Sequence, residues 1–133
     1  MVCVYCGNKT QVINSRHQKR NNGVWRRRQC KKCMAVFTSL EQVDTQTSLV
    51  VNKSGRLEPF SRDKVLISLY DSLKHRKTAT SDASGLADTI VNQAFARNES
   101  SEIGLNALKS IILSTLDRFD PVSAVHFQAY YIA

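Results

Sequence analysis

Apolar residues change their spacing about a third of the way along the 133-residue chain. In the first part they fall in short β-branched or aromatic runs between polar turns. Gln11-Val12-Ile13-Asn14 predicts a short strand after a turn at Gly7-Asn8-Lys9, and Val24-Trp25-Arg26-Arg27-Arg28-Gln29 predicts a second. Lys19-Arg20-Asn21-Asn22-Gly23 forms the turn between them, with Gly23 as the residue suited to positive φ. Val36-Phe37-Thr38-Ser39-Leu40 supplies a closing strand. Glu41 to Thr47 is polar and carries no hydrophobic pattern. From there, Ser48-Leu49-Val50-Val51 and Arg56-Leu57-Glu58-Pro59-Phe60 flank Asn52-Lys53-Ser54-Gly55 as a β-hairpin, with Gly55 at a positive-φ position.

Beyond the hairpin the apolar period lengthens to that of a helix. Ser61 is placed to N-cap a segment carrying Val65, Leu66, Leu69, Tyr70 and Leu73, which ends in the cationic Lys74-His75-Arg76-Lys77 before a Thr/Ser-rich break. Leu86, Ile90, Val91, Ala94 and Phe95 mark a second helix, and Leu105, Leu108, Ile111, Ile112 and Leu116 a third. Asp120-Pro121, a cap followed by proline at the first helical position, starts a fourth that runs to the chain end. Stripes of this kind bury against one another and form a core. The expected architecture is therefore α+β: residues 1–43 as a small strand module, 44–47 as a linker, and 48–133 as a hairpin with a four-helix bundle.

All four cysteines stand in the first module, as Cys3-Val4-Tyr5-Cys6 and Cys30-Lys31-Lys32-Cys33. Two turns of this kind offer four thiolates to one Zn²⁺ in a tetrahedral cage. Redox pairs would want a βαβ context and structural disulfides an oxidising compartment, so a zinc ribbon with one ion per chain is the preferred reading. Four thiolates leave no open position for water or substrate, which makes such a site structural. A module this small can barely bury a core, so the metal must supply much of its folding free energy.

Charge follows the same division. The net charge is +8; nine Lys/Arg stand against two Asp/Glu through Asp44, and ten against nine thereafter. Four thiolates with one Zn²⁺ lower the first module's +7 to about +5, still a polyanion-binding head on a near-neutral body. Arg26 and Arg28 share one strand face, with Trp25 and Arg27 on the other, while Arg16 and Lys31 widen the basic patch. Arginine's planar fork suits phosphate oxygens and base edges. Trp25 offers a stacking surface for a base, but as the single tryptophan of a core-poor module it is expected to pack against the ribbon. No run approaches transmembrane length, and Met1-Val2-Cys3 leaves no room for a leader before the first thiol, so a soluble intracellular protein is expected.

Val12-Ile13-Asn14-Ser15-Arg16, Arg26-Arg27-Arg28-Gln29-Cys30, Phe37-Thr38, the stretch from Val50 to Lys64 and the closing Phe127 to Tyr131 recur together and in order in one known family. On these residues the chain resembles the bacterial NrdR-type repressors of ribonucleotide reductase genes, in which a zinc ribbon precedes an ATP-cone. The resemblance implies that the ribbon binds double-stranded promoter DNA and that the cone senses ATP against dATP by changing the state of a homo-oligomer. It also implies a bacterial cytoplasmic location, at the nucleoid when bound. It carries nucleotide contacts onto Val51, Asn52, Lys53, Glu58, Lys64 and Tyr131. Asn52 stands where the family motif usually has lysine, Ser54 where it often has aspartate, and Asn14 where aspartate usually follows Val-Ile. The last helix is expected to be shortened, because the chain stops at Ala133 where family members continue.

Physical reading of the hairpin agrees with a phosphate site in outline. A Gly-containing tip exposes amides, Lys53 and Arg56 supply charge, and the start of the next helix adds its dipole beside Lys64. The alternative function is an RNA-binding zinc ribbon with a structural helical partner, with Tyr5, Trp25 and Phe37 as stacking surfaces. An enzyme is the third class and is not expected: there is no GxxxxGK[ST] loop, and His17, His75 and His126 stand apart from one another.

Overall fold

Three strands built from few apolar residues hold together at the N-terminus through backbone pairing. In the computed structural model, which describes residues 1–97 and 100–132, these are β1 (Thr10–Gln18), β2 (Gly23–Cys30) and β3 (Val36–Glu41). They form an antiparallel sheet in the order β1-β2-β3. β1 is longer than its apolar residues predict. Its polar half, Ser15 to Gln18, is recruited by pairing with β2 from Ser15↔Arg26 to Gln18↔Gly23, so the ladder overrides weak strand propensity. A register shift between Val12 and Asn14 marks a bulge.

The β1–β2 turn differs from expectation. Asn22, not Gly23, takes the left-handed conformation, at φ 49. Gly23 is required for another reason: a Cβ there would lie 2.9 Å from the Glu41 carbonyl oxygen across the sheet.

The chain divides into two compact units, Met1–Val43 and Asp44–Ala133. The stretch expected as a linker holds a single helical turn, α1 (Thr45–Ser48), whose start is capped by the Asp44 side chain accepting from the Gln46 amide at 3.1 Å.

The second unit opens with the hairpin β4 (Val50–Lys53) and β5 (Arg56–Pro59). Its two-residue turn places both Ser54 (φ 55) and Gly55 (φ 90) in the left-handed region, as a tight hairpin of matching twist requires. The Asn52 side chain braces the turn by accepting from the Gly55 amide at 2.7 Å. Four helices follow: α2 (Arg62–Leu73), α3 (Ala79–Ala96), α4 (Leu105–Phe119) and α5 (Pro121–Phe127). The last continues into one π-helical turn over Gln128–Ile132; the expected shortening at Ala133 lies outside the described residues.

Two features go beyond the sequence reading. A three-residue strand, β6 (Glu102–Gly104), joins β4 in parallel and buries Ile103, so the sheet order is β5-β4-β6. The Thr/Ser-rich break is also shorter than expected. Ala79 to Ser84 are helical, because Ala79, Ala83 and Ala87 stack at four-residue intervals on the buried face of α3, where small side chains let a neighbouring helix approach closely. The core runs from Leu49 and Phe60 through Leu69, Leu73, Ile90, Ile111 and Leu116 to Phe127. The expected α+β class is thus present, with a four-cysteine ribbon preceding a hairpin-and-helix unit.

Candidate functional site

The two cysteine turns meet at the end of the first sheet. The four Sγ atoms lie within 4.8 Å of one another, with Cys3–Cys33 at 3.7 Å and Cys6–Cys30 at 3.5 Å. A tetrahedron of Zn–S bonds of about 2.3 Å has sulfur–sulfur edges of roughly 3.8 Å, so the donor set fits one Zn²⁺. Main-chain amides point at the sulfurs: Tyr5 N donates to Cys3, and Lys32 N and Cys33 N both donate to Cys30, at 3.3 to 3.4 Å. Asn8 Nδ2 donates to Cys6 at 3.2 Å. Such outer contacts orient ligands and stabilise thiolate. With the side chain of Asn8 first among the causes, and its amide next, the Cys6 thiol is lowered to about 6. At Cys33 the Ala35 amide pulls downward, but burial and the sulfurs of Cys30, Cys6 and Cys3 prevail and push it up to about 11. Four sulfurs this close can ionise together only with a cation among them. All four positions are filled by thiolate, so the bound ion would hold the fold and perform no chemistry.

Arg16, Arg26, Arg27, Arg28 and Lys31 all stand on this unit, in different surroundings. Arg16 and Arg27 are exposed, Arg26 and Arg28 half-buried, and Lys31 exposed on the second cysteine turn. Arg26 Nη1 pairs with Glu41 Oε2 at 2.9 Å, and Arg28 Nε donates to Ser39 Oγ at 2.9 Å. Arg27 Nη1 donates to Thr38 Oγ1 at 3.0 Å. The Arg16 guanidinium sits 6.0 Å from the centre of the Trp25 ring.

A second site lies within the hairpin-and-helix unit. A cavity of about 350 Å³ is bounded by the hairpin, the start of α2, the face of α4 and the C-terminal turn. Val51, Lys53, Glu58, Lys64 and Tyr131 all line it. Asn52 does not: its strand neighbours point inward and its own amide points away, donating to Glu102 Oε1 at 2.6 Å. Alternation along β4 thus gives the inward place to Lys53.

The cavity lining combines charge and hydrocarbon. Glu58 bridges Lys53, at 2.8 Å, and Lys64. Hydrogen bonds from Lys53 first, and then Lys64, hold its carboxyl at about 2. Ser61 caps α2 here, its Oγ accepting from Lys64 N at 3.2 Å, so the positive end of the helix dipole adds to the two ammonium groups. Much of the remaining wall is apolar, with Val51, Phe60, Leu105 and Ile112 prominent. Tyr131 stacks on Phe127 with centroids 5.1 Å apart and planes 19° from parallel, and its hydroxyl donates to Asp71 Oδ2 at 2.9 Å. Burial, followed by that contact, raises the Tyr131 pKa. Lys109 also lines the cavity and was missed. Its signal was present in the sequence: it follows Leu108 and lies four residues from Leu105 and three from Ile112, inside the apolar stripe of α4.

Fold and sites together define a two-unit zinc-ribbon protein: a metal-held cationic sheet, and a second α+β unit with a cavity lined by lysines and by aromatic rings. The family described as "Transcriptional repressor NrdR-like, N-terminal domain" matches residues 1–41. The transcriptional repressor NrdR of Streptococcus uberis (strain ATCC BAA-854 / 0140J) is 33% identical over 132 residues, covering 98% of this chain and 80% of that protein. The repressor of the same name from Streptococcus pneumoniae (strain Hungary19A-6) is 33% identical over 132 residues, covering 98% and 83%. The chain belongs to the NrdR transcriptional repressor family. Among the described residues, no helix is long and apolar enough to cross a membrane.

Proposed function

We propose that this protein is a zinc-dependent, DNA-binding repressor of ribonucleotide reductase genes whose second unit binds adenine nucleotides, ATP and dATP acting as effectors through the assembly state of the chain. Family membership supports the repressor role. The observation that carries the nucleotide part is the cavity, where Lys53, Lys64 and Lys109 stand at hand for phosphates while Phe127 and Tyr131 offer an aromatic wall for a base.

Glu58 pairs with the two ammonium groups that a polyphosphate would need. Phosphate oxygens would exchange for the carboxylate, aided by the α2 dipole. Tyr131 ties the C-terminal turn to α2 through Asp71, so a base packed on its ring alters contacts on both. In the ribbon, Zn²⁺ would fix the sheet from which exposed guanidinium groups such as Arg16 and Arg27 reach DNA.

The test is calorimetry with ATP and with dATP, paired with promoter binding and solution mass in each nucleotide state, on zinc-loaded full chain. Lys64→Ala is expected to weaken nucleotide binding by at least tenfold, as loss of a charge-assisted contact of about 1.5–3 kcal/mol implies. Reductase promoter duplex bound no better than random duplex in every nucleotide state would refute the repressor reading. Unchanged mass and DNA affinity on adding either nucleotide would refute nucleotide control.

A further inference from the structure

The two faces of the ribbon sheet differ in a way that the run of three arginines hides. Residues directly opposite in an antiparallel pair share a face. Register therefore places Arg16, Trp25 and Leu40 on one face, together with Asn14, Arg27 and Thr38. It places Ser15, Arg26 and Ser39 on the other, with Arg28, Phe37 and Glu41. On this second face Phe37 is buried with Cys3 and Cys30, Arg26 is neutralised by Glu41, and Arg28 is held by Ser39. A phosphate arriving there would meet the Glu41 carboxylate and would have to break the Arg26 pair. On the first face no strand residue is acidic, Arg16 and Arg27 are exposed, and Trp25 lies between them with amide side chains at Asn14 and Gln29.

We infer that duplex DNA lies against the Arg16–Trp25–Arg27 face alone, and that Arg26 and Arg28 serve the ribbon's own structure. This rests on the DNA-binding reading above and assigns the surface that does the binding. Charge complementarity selects the occupant: a face with two exposed guanidinium groups, no acid and hydrogen-bonding amides matches phosphates with adjacent base edges. Arg27 gives one N–H to Thr38 and keeps the rest of its fork for a phosphate. The position of Arg16 over the indole restricts where its guanidinium can go and so preorganises it.

The test uses the zinc-loaded full chain and a labelled promoter duplex, with affinity measured by anisotropy across a salt series. Arg16→Gln and Arg27→Gln are each expected to flatten the slope of log K against log salt by about 0.9, and the double variant by about twice that. Arg16→Lys and Arg27→Lys should restore the slope, because a phosphate contact needs charge. Arg26→Gln and Arg28→Gln, checked for full zinc content, should leave the slope unchanged. Trp25 is the single tryptophan, so its emission should become protected from acrylamide in the complex. Slope losses confined to Arg26 and Arg28, equal losses from both pairs, or a Trp25 that stays open to acrylamide at saturation would each overturn the assignment. Wild-type protein that ignores promoter duplex, or releases it to single-stranded RNA at equal concentration, would instead refute the DNA-binding reading itself.

Discussion

The two units solve the same problem with different means. In the ribbon the buried cluster is Cys3, Cys30 and Phe37; in the second unit it extends from Leu49 to Phe127 across the sheet and four helices. Hydrocarbon burial of roughly 25 cal/mol per Å² can hold the second unit but has little to act on in the first. The difference shows in the charges. The ribbon has no large core to cover, so its sheet carries cations on both faces. In the second unit several charged side chains tie one element to another: Arg62 on α2 to Asp88 and Ser84 on α3, and Arg76 to Asp82 and Asp120. A metal-held module can present nearly its whole surface to a partner. A hydrocarbon-held one presents what its packing leaves, here a cavity between hairpin and helices.

Removing the metal breaks this comparison most sharply. Structural zinc sites supply about 10–16 kcal/mol to folding at neutral pH, far more than the ribbon's cluster can replace. Chelation, or Cys6→Ser, is expected to collapse the amide spectrum of residues 1–43 and abolish DNA binding, while the helical circular dichroism and melting transition of the second unit persist. Loss of both units together would show that their stabilities are not separate. The reciprocal change is Leu116→Ala. Leu116 is fully buried, and such truncations cost about 2–5 kcal/mol. The second unit's stability in denaturant should fall by that amount, with zinc content unaltered.

What the sequence disclosed divides along the same line. The cysteine turns and the hairpin are local: their residues lie within a few positions of one another, and spacing alone limits what they can form. Helix α4 was legible because Leu105, Leu108, Ile111, Ile112 and Leu116 repeat with its period. Strand β6 was not, since three residues carry no period and their pairing with β4 spans about fifty positions. The start of α3 was hidden for a chemical reason: Thr80, Ser81 and Ser84 look like a break, and the alanines that bury there give no hydrophobic signal. In the cavity, motif order indicated Asn52 as well as Lys53, and only strand alternation separates the inward residue from the outward one. The sharing of Glu58 by two lysines was invisible, because Lys53 and Lys64 come from different elements.

A smaller effect sharpens the contrast at the cavity's edge. Ser61 Oγ accepts from Lys64 N at 3.2 Å, and losing a serine cap costs about 1 kcal/mol. Ser61→Ala should lower the second unit's melting temperature by a few degrees and leave the ribbon's zinc affinity unchanged, while Ser61→Asp should recover the loss. Failure of aspartate to rescue would mean that the hydroxyl acts through cavity packing instead of capping.

The smallest effect concerns acid. Glu58 is held at about 2, against an ordinary value of 4.5, chiefly by Lys53 and Lys64. Asp120, which caps α5 and meets His75 Nε2 at 2.8 Å, is held at about 2 against 3.8, with His75 the largest cause. Both folded values lie below the unfolded ones, so the unfolded chain binds these protons more tightly. The stabilisation is therefore complete above about pH 4.5, diminishes as pH falls, and is gone once pH passes about 2. Water screens these contacts, so the slope should be shallow. Glu58→Gln and Asp120→Asn should each flatten the pH dependence of the second unit's denaturation midpoint between those limits. The two reductions should add, since the pairs share no partner. A midpoint as steep in the double variant as in the native chain would place the acid sensitivity elsewhere, with Asp71 and Asp82 the next groups to substitute, because their pKa values are also lowered, chiefly by Lys74 and Thr78 respectively.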